Sequence, residues 1–243
     1  MNAKPTLVVE HEAQCPPGWM GDWLAEAGCE LDVRRPYRGE PLPADLAGHR
    51  SLVILGGSMG AYDDADHPWL TEVKALVLGA VEDGTPTLGI CLGHQLIAVA
   101  LGGEVHPNPL GQQIGVPAVG WLPAASDDVL FGPLTGARIA VQWNNHVVRS
   151  LPATSVVLAR TARQEIQAVR FAPTVWGVQW HPEAGVEIIA RWAENDRDEA
   201  RERGVDIDEY VAQVAAAGDE LRSTWQQLAK GFAVMSRDAL AAW

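Results

Sequence analysis

Basic residues are scarce in this chain. Its 243 residues hold 18 Lys and Arg against 31 Asp and Glu, a formal net charge of −13. A surface of that sign is not built to neutralise phosphates or anionic lipid, so neither nucleic acid nor membrane is expected as a partner. Long apolar runs are also missing: no uncharged apolar run reaches the roughly 18 residues that cross a bilayer. The segment Met1-Asn2-Ala3-Lys4-Pro5-Thr6 lacks the apolar core of a signal peptide. Cysteine occurs only as Cys15, Cys29 and Cys91, an odd number without metal-ligand spacing. That excludes a disulfide framework and leads to the expectation of reduced thiols in a cytoplasm. Internal repeats, low-complexity tracts and flexible linkers are absent. What remains is a globular composition, 47% hydrophobic and 20% charged, long enough for one large or two small domains.

The first half alternates between two periodicities. Thr6 to Glu10, Leu31 to Val33, Ser51 to Leu55 and Thr87 to Ile90 are predicted strands. Between them, Trp19 to Ala27 is a predicted helix stopped by Gly28, and Pro68 to Val81 one with Pro in its first turn and Gly84 beyond its end. Arg34 to His49 is rich in Pro and Gly and is predicted to be loop, and Leu92 to Leu101 is a helix. This alternation implies a mainly parallel sheet with helices on both faces. After Gly103 the pattern changes. Gly115 to Leu122, Ala137 to Gln142 and Ser155 to Arg160 are predicted strands, and Ile166 to Phe171 and Val175 to Trp180 form a hairpin around Ala172-Pro173-Thr174. From Ala184 onward the chain is helical in character. Glu194 to Arg203 is a solvated face, and Leu221, Trp225, Leu228, Phe232 and Met235 mark an amphipathic last helix. The division expected is a domain over residues 1–183 and a helical extension over 184–243 packed on it.

Within this frame, Leu88-Gly89-Ile90-Cys91-Leu92-Gly93-His94 places a cysteine between two glycines, after a strand and before a helix. That is the layout of a nucleophile elbow, a sharp turn that lifts a reactive side chain clear of the backbone. Such a thiol needs a base, and the base needs an orienting acid. His181 and Glu183 in Gly177-Val178-Gln179-Trp180-His181-Pro182-Glu183 supply both. Extended residues at i and i+2 face the same way, and Pro182 keeps His181 extended. Cys91, His181 and Glu183 therefore form a candidate acyl-transfer triad. Gly56-Gly57-Ser58-Met59-Gly60 ends a strand that should neighbour the Cys91 strand, so the N–H groups of Gly57 and Leu92 could cradle a tetrahedral oxyanion.

With these segments in place, the chain resembles the class I, triad-type glutamine amidotransferases. Gly89-Ile90-Cys91-Leu92-Gly93-His94-Gln95 and Gln179-Trp180-His181-Pro182-Glu183 look like the family's two signatures, and Gly56-Gly57 matches its oxyanion strand. Tyr62-Asp63-Asp64, Pro68-Trp69-Leu70 and Gly102-Gly103-Glu104-Val105 are similar to the free-standing branch near the glutaminase domain of GMP synthase. The resemblance covers residues 6 to 183. It implies an α/β, flavodoxin-like open sheet, a γ-glutamyl thioester on Cys91, an oxyanion hole from Gly57 and Leu92, and glutamine held by Gln95, with Gly56, Ser58 and His146 at the substrate. It also implies a possible partner, a separate synthetase subunit that would take the ammonia. No cofactor and no metal are expected, and the oligomeric state is not legible.

One segment departs from the family pattern. Where a Ser-His-Gly-Asp-like stretch is usual, this chain has Trp143-Asn144-Asn145-His146-Val147-Val148, with valine in place of the acid. This motivates a second reading, a stand-alone hydrolase of γ-glutamyl-amines or peptides. A third is a non-catalytic binding or regulatory protein on the same fold. A fourth, the stress-chaperone and deglycase type with an elbow cysteine, lacks the His-Pro-Glu segment. Among the other residues, Cys15 and Cys29 are expected to be inert and His94 to pack. His11 and Glu12 could reach the same sheet edge. His49, His67 and His106 are expected at the surface, and Asp63, Asp64 and Asp66 to cap the helix at Pro68. The ten tryptophans are expected in core and interface packing.

Overall fold

The computed structural model describes residues 4–202 and 204–238. Met1 to Ala3, at the start of the N-terminal segment, and Arg203, which ends the charged stretch, lie outside them. In chain order the elements are β1 (Thr6–Val9), α1 (Gly18–Glu26), β2 (Leu31–Arg34), β3 (Ser51–Ile54), α2 (Trp69–Asp83), β4 (Thr87–Ile90), α3 (Leu92–Ala100) and β5 (Glu104–Pro107). There follow β6 (Gln113–Gly115), β7 (Gly120–Trp121), β8 (Gln142–Asn144), β9 (His146–Ser150), β10 (Val156–Arg160), β11 (Ile166–Ala172) and β12 (Val175–Val178). Four helices close the chain: α4 (Val186–Asn195), α5 (Arg197–Glu202), α6 (Ile207–Ala216) and α7 (Gly218–Asp238).

The central sheet has eight strands in the order β2-β1-β3-β4-β12-β11-β10-β7. From β2 to β12 neighbours run parallel; β11, β10 and β7 continue it antiparallel. Successive side chains of a strand point to opposite faces, and the core divides accordingly. Val8, Val53, Leu88, Ile90, Trp176 and Val178 pack with α1 and α7 on one face. Leu7, Val9, Leu52, Ile54 and Val175 pack with α2 and α3 on the other. Strands buried on both faces read as near-continuous apolar runs, which is what made them visible in the sequence.

The apolar spacing of α7 is met in full. Leu221, Trp225, Leu228 and Phe232 are buried, and the Trp225 ring lies 5.2 Å from that of Trp180. The helix Pro68 to Val81 is found as α2, ended by Gly84 at φ +68°. The charged face is exposed at Glu194, Asp198 and Arg201 and laced with ion pairs from Arg197 to Glu194 and Asp208. Among the described residues no helix is long and apolar enough to cross a membrane.

Four expectations need correction. The strand over Gly115 to Leu122 is broken: β6 ends at Gly115, with φ +138°, and β7 begins at Gly120. Pro117, which lacks an N–H, lies between them. Most of Ala137 to Gln142 makes only an isolated bridge, from Ile139 to Ala118. In exchange, β5 pairs antiparallel with β9 as a ribbon on α3. Only Val105 of β5 is buried, so no alternation announced it. The Asp63, Asp64 and Asp66 cluster does not cap α2, whose N-terminus has no side-chain cap. Asp63 accepts from the Gly60 N–H, while Asp64 holds Thr71 and Lys74. His49 is also not a surface residue: its side chain is 9% exposed and meets Asp32 at 2.9 Å.

Candidate active site

The carboxyl ends of β1, β3, β4 and β12 open onto one cleft of about 460 Å³, the edge where ligands bind in open α/β sheets. Cys91 lies there between β4 and α3, at φ +50° and ψ −104°. This is a rare conformation for a residue with a side chain, and its strain is stored at the turn. The surrounding backbone holds it: the Cys91 N–H bonds the Val178 carbonyl at 2.8 Å and the Gly93 N–H bonds that of Leu55 at 3.2 Å. Gly93 is required by contact, since a Cβ there would lie 2.1 Å from the Ile54 carbonyl oxygen. Gly56 lies against the pair, its Cβ position being 3.2 Å from His181 Cε1 and 3.7 Å from Cys91 Cβ.

His181 and Glu183 are 3% and 1% exposed. Glu183 Oε1 meets His181 Nδ1 at 2.7 Å, so the carboxylate orients the ring, and among the described residues Nε2 has no hydrogen-bond partner. The backbone fixes both residues. The His181 N–H bonds the Val141 carbonyl, and the Glu183 carbonyl accepts from the Trp19 N–H. Burial would lower the His181 pKa; Glu183, and then Cys91, reverse this and hold it well above the ordinary histidine value. A thiol, an imidazole and a buried carboxylate so placed can transfer a proton from sulfur to nitrogen and keep the resulting charge.

The remaining candidates gather around this group. A Cβ on Gly57 would touch the Leu92 side chain, so these two residues adjoin beside the thiol. Gly57, Ser58, Gln95 and His146 line the cleft. Glu12 accepts from the Ser58 N–H at 2.9 Å and from its hydroxyl at 2.7 Å, fixing the loop after β3. Gln95 donates to the His146 carbonyl and to Gln179 Oε1, each at 3.2 Å. Val148 lies in the apolar core rather than in the cleft.

The sequence missed several wall residues. Cys15, expected to be inert, lines the cleft and donates to Glu12. Burial, and then Glu12, push its thiol well above the usual cysteine range. The segment after β12 adds Trp192, whose ring stands 4.7 Å from that of His181 and whose Nε1–H bonds the Gln14 carbonyl. Trp143 packs edge-on to Trp192 and donates to Asp196. A tryptophan within an amphipathic helix reads as core, so only the tertiary fold could have shown this role.

His94 packs against Phe171, and neither of its ring nitrogens has a hydrogen-bond partner among the described residues. Burial pulls its pKa down to about 3; His11, just after β1, is lowered to about 3 by burial and then by His67. The unfolded chain protonates both below about pH 6.5, while the fold resists until about pH 3. Stability should therefore fall as pH drops through that window, by about 1.4 kcal/mol per unit for each histidine. His181, raised in the fold, adds no slope there; its contribution is complete below the unfolded value and is lost at higher pH. Urea melts between pH 7 and 4 check this, and H94L should show a shallower slope than the parent.

A family model described as glutamine amidotransferase class-I matches residues 21–189. A glutamine-hydrolyzing GMP synthase subunit of Methanosarcina acetivorans is 45% identical over 120 residues, 45% of this chain and 59% of that protein. The chain thus spans less than two thirds of the length of that relative, and 28% of a GMP synthase from Aeropyrum pernix. Gamma-glutamyl peptidase 4 of Arabidopsis thaliana is 27% identical over 219 residues, 86% of this chain and 83% of that one. A glutamine amidotransferase of Thermotoga maritima has the same fold, with a TM-score of 0.85 at 24% identity over 96% of this chain and 99% of that one. By the match over most of its length and by this fold, the chain belongs to the class-I glutamine amidotransferase family.

Proposed function

We propose that the chain is a cysteine-dependent amidohydrolase that cleaves a γ-glutamyl amide. The observation that carries this reading is the buried His181–Glu183 pair, 2.7 Å apart, beside a cysteine held at positive φ. Cys91 gives its proton to His181 Nε2, and its sulfur attacks the γ-carbonyl carbon. The N–H groups of Gly57 and Leu92 take the charge that develops on the carbonyl oxygen. Collapse of the intermediate breaks the C–N bond, and His181 returns its proton to the leaving nitrogen. Water, deprotonated by His181, then attacks the thioester and releases glutamate and free Cys91. Glu183 keeps the imidazole in the tautomer that accepts at Nε2 and stabilises the imidazolium.

Ammonia released in this way could pass to a separate synthetase, a route suggested by the likeness to one subunit of a GMP synthase. The other source of the amide is a γ-glutamyl-amine or peptide cut by the chain alone. One observation favours that second reading: the likeness to a gamma-glutamyl peptidase extends over most of both chains.

A steady-state assay on the purified chain tests both. Free glutamine, γ-glutamyl-amines and γ-glutamyl dipeptides are supplied in parallel and glutamate release is measured. The second reading expects the conjugates to exceed glutamine in kcat/KM by more than tenfold, which is about 1.4 kcal/mol. A preference for glutamine of the same size, strengthened by a partner synthetase, rejects it. Turnover of none of the three classes overturns the amidohydrolase reading itself.

A further inference from the structure

Gln179 touches the reacting sulfur. It is 0% exposed, and its Nε2 lies 3.5 Å from Cys91 Sγ. It stands two residues before His181, so the segment that carries the base also delivers a side-chain amide to the nucleophile. Nothing in the proposed triad assigns it a role.

An amide can face a sulfur with either end, and the direction matters: an N–H favours thiolate, a carbonyl oxygen opposes it. Here the direction is settled from a distance. The backbone carbonyl of His146 can only accept. It lies 3.2 Å from the amide of Gln95, so that amide must turn its NH₂ toward it. The same Gln95 nitrogen has its second hydrogen directed at Gln179, 3.2 Å away, so Gln179 must present its oxygen there. Its NH₂ is then left facing Cys91 Sγ. One carbonyl polarises a chain of two buried amides and places a donor at the sulfur.

We propose that Gln179 is a further catalytic residue, an N–H donor that stabilises the Cys91 thiolate, with Gln95 as the positioning residue that fixes its direction. Hydrogen bonds with one ionised partner are about twice as strong as neutral ones, so the donor favours the reactive form over the thiol. It holds sulfur during proton transfer to His181 and again when the thioester collapses and the thiolate leaves. The proposal also revises Gln95. Both hydrogens of its amide are committed to the relay, so only Oε1 is available to a substrate. The inference rests on Cys91 being the nucleophile, and its test separates the two claims.

The test is alkylation by iodoacetamide, with peptide mass mapping to separate Cys91 from Cys15 and Cys29. In the parent protein Cys91 is expected to react fastest. Gln179→Met keeps the length and removes the donor. It should slow Cys91 alkylation at pH 7 about tenfold, the effect of one hydrogen bond to a charged group. The difference should close by about pH 10, where ionisation no longer limits the rate. Gln179→Glu, which sets a carboxylate against sulfur, should slow it further at pH 7, and kcat should fall in both variants with KM little changed. If Gln179→Met does not fold by circular dichroism, Gln95→Met serves instead. It leaves Gln179 in place but frees its direction, and a several-fold slowing at pH 7 is expected. Parent-like alkylation in the folded variants overturns the proposal, as does a slowing that persists undiminished at about pH 10, which would report access alone. A parent Cys91 that reacts no faster than Cys29 overturns the nucleophile assignment, and this inference with it.

Discussion

Replacing Cys91 by serine is expected to cut glutamate release at least about 10³-fold while the protein stays folded. The two side chains differ by one atom, and the backbone at 91 is held by the Val178 carbonyl and the turn glycines rather than by the sulfur. The chemistry differs much more. A hydroxyl is far harder to deprotonate than a thiol, and the shorter C–O bond withdraws the nucleophile from a carbonyl positioned for sulfur. Melting curves of the two proteins should coincide within a few degrees. A glutamine-analogue electrophile should label the parent at Cys91 and leave the serine variant unmodified. Full activity in a folded C91S would remove the thioester from the mechanism.

Glu183→Gln is expected to lower kcat/KM by about 10²- to 10⁴-fold, although it changes one oxygen to nitrogen. Glu183 Oε1 accepts from His181 Nδ1 at 2.7 Å. An amide that turns its NH₂ toward Nδ1 forces the ring hydrogen onto Nε2, where it faces Cys91 and cannot accept a proton. The charge effect adds to this. Burial lowers the His181 pKa, and the Glu183 carboxylate is the first of the groups that raise it. Without the carboxylate the imidazolium loses support, so the acidic limb of the rate profile should move to lower pH. The stability that the raised histidine contributes is present below about pH 6.5 and lost above its folded value, so the variant should lose most stability at neutral pH and below. A rate–pH profile and urea melts at pH 6 and 9 measure the two effects. A variant within tenfold of the parent at every pH would show that Glu183 does not orient the base.

The parts of this site that were legible in the sequence are those fixed locally. The elbow depends on glycines two residues either side of Cys91, and the base and its acid are separated by a single proline. Neither needs the fold to be recognised. The inner parallel strands were legible because burial on both faces leaves near-continuous apolar runs, the half-buried β2 by its alternation, and α7 because its period is helical. The cleft wall was not. Cys15 comes from the loop after β1, Trp143 from β8 and Trp192 from α4, and they meet only when the sheet is assembled. The ribbon of β5 and β9 was hidden for a related reason. Its pairing is non-local and one strand buries a single residue, so neither alternation nor composition marked it.

Cys91 and His181, the proposed nucleophile and base, hang from strands that touch. β4 and β12 are hydrogen-bonded neighbours with Ile90 opposite Val178, and the Cys91 N–H is itself bonded to the Val178 carbonyl. The chain between them runs through α3 and the stretch from β5 to β9, which brings Trp143 to His146 to the cleft, and comes back by way of β10 and β11. The ladder between β4 and β12 is made by residues outside that stretch, which reaches the base through the Val141 carbonyl. In this architecture the proposed cutting tool and the jig beside it are different stretches of chain, joined at that anchor. For the proposed hydrolase, refitting the wall to another substrate is then a matter of editing Trp143 to His146 while leaving Val141 untouched.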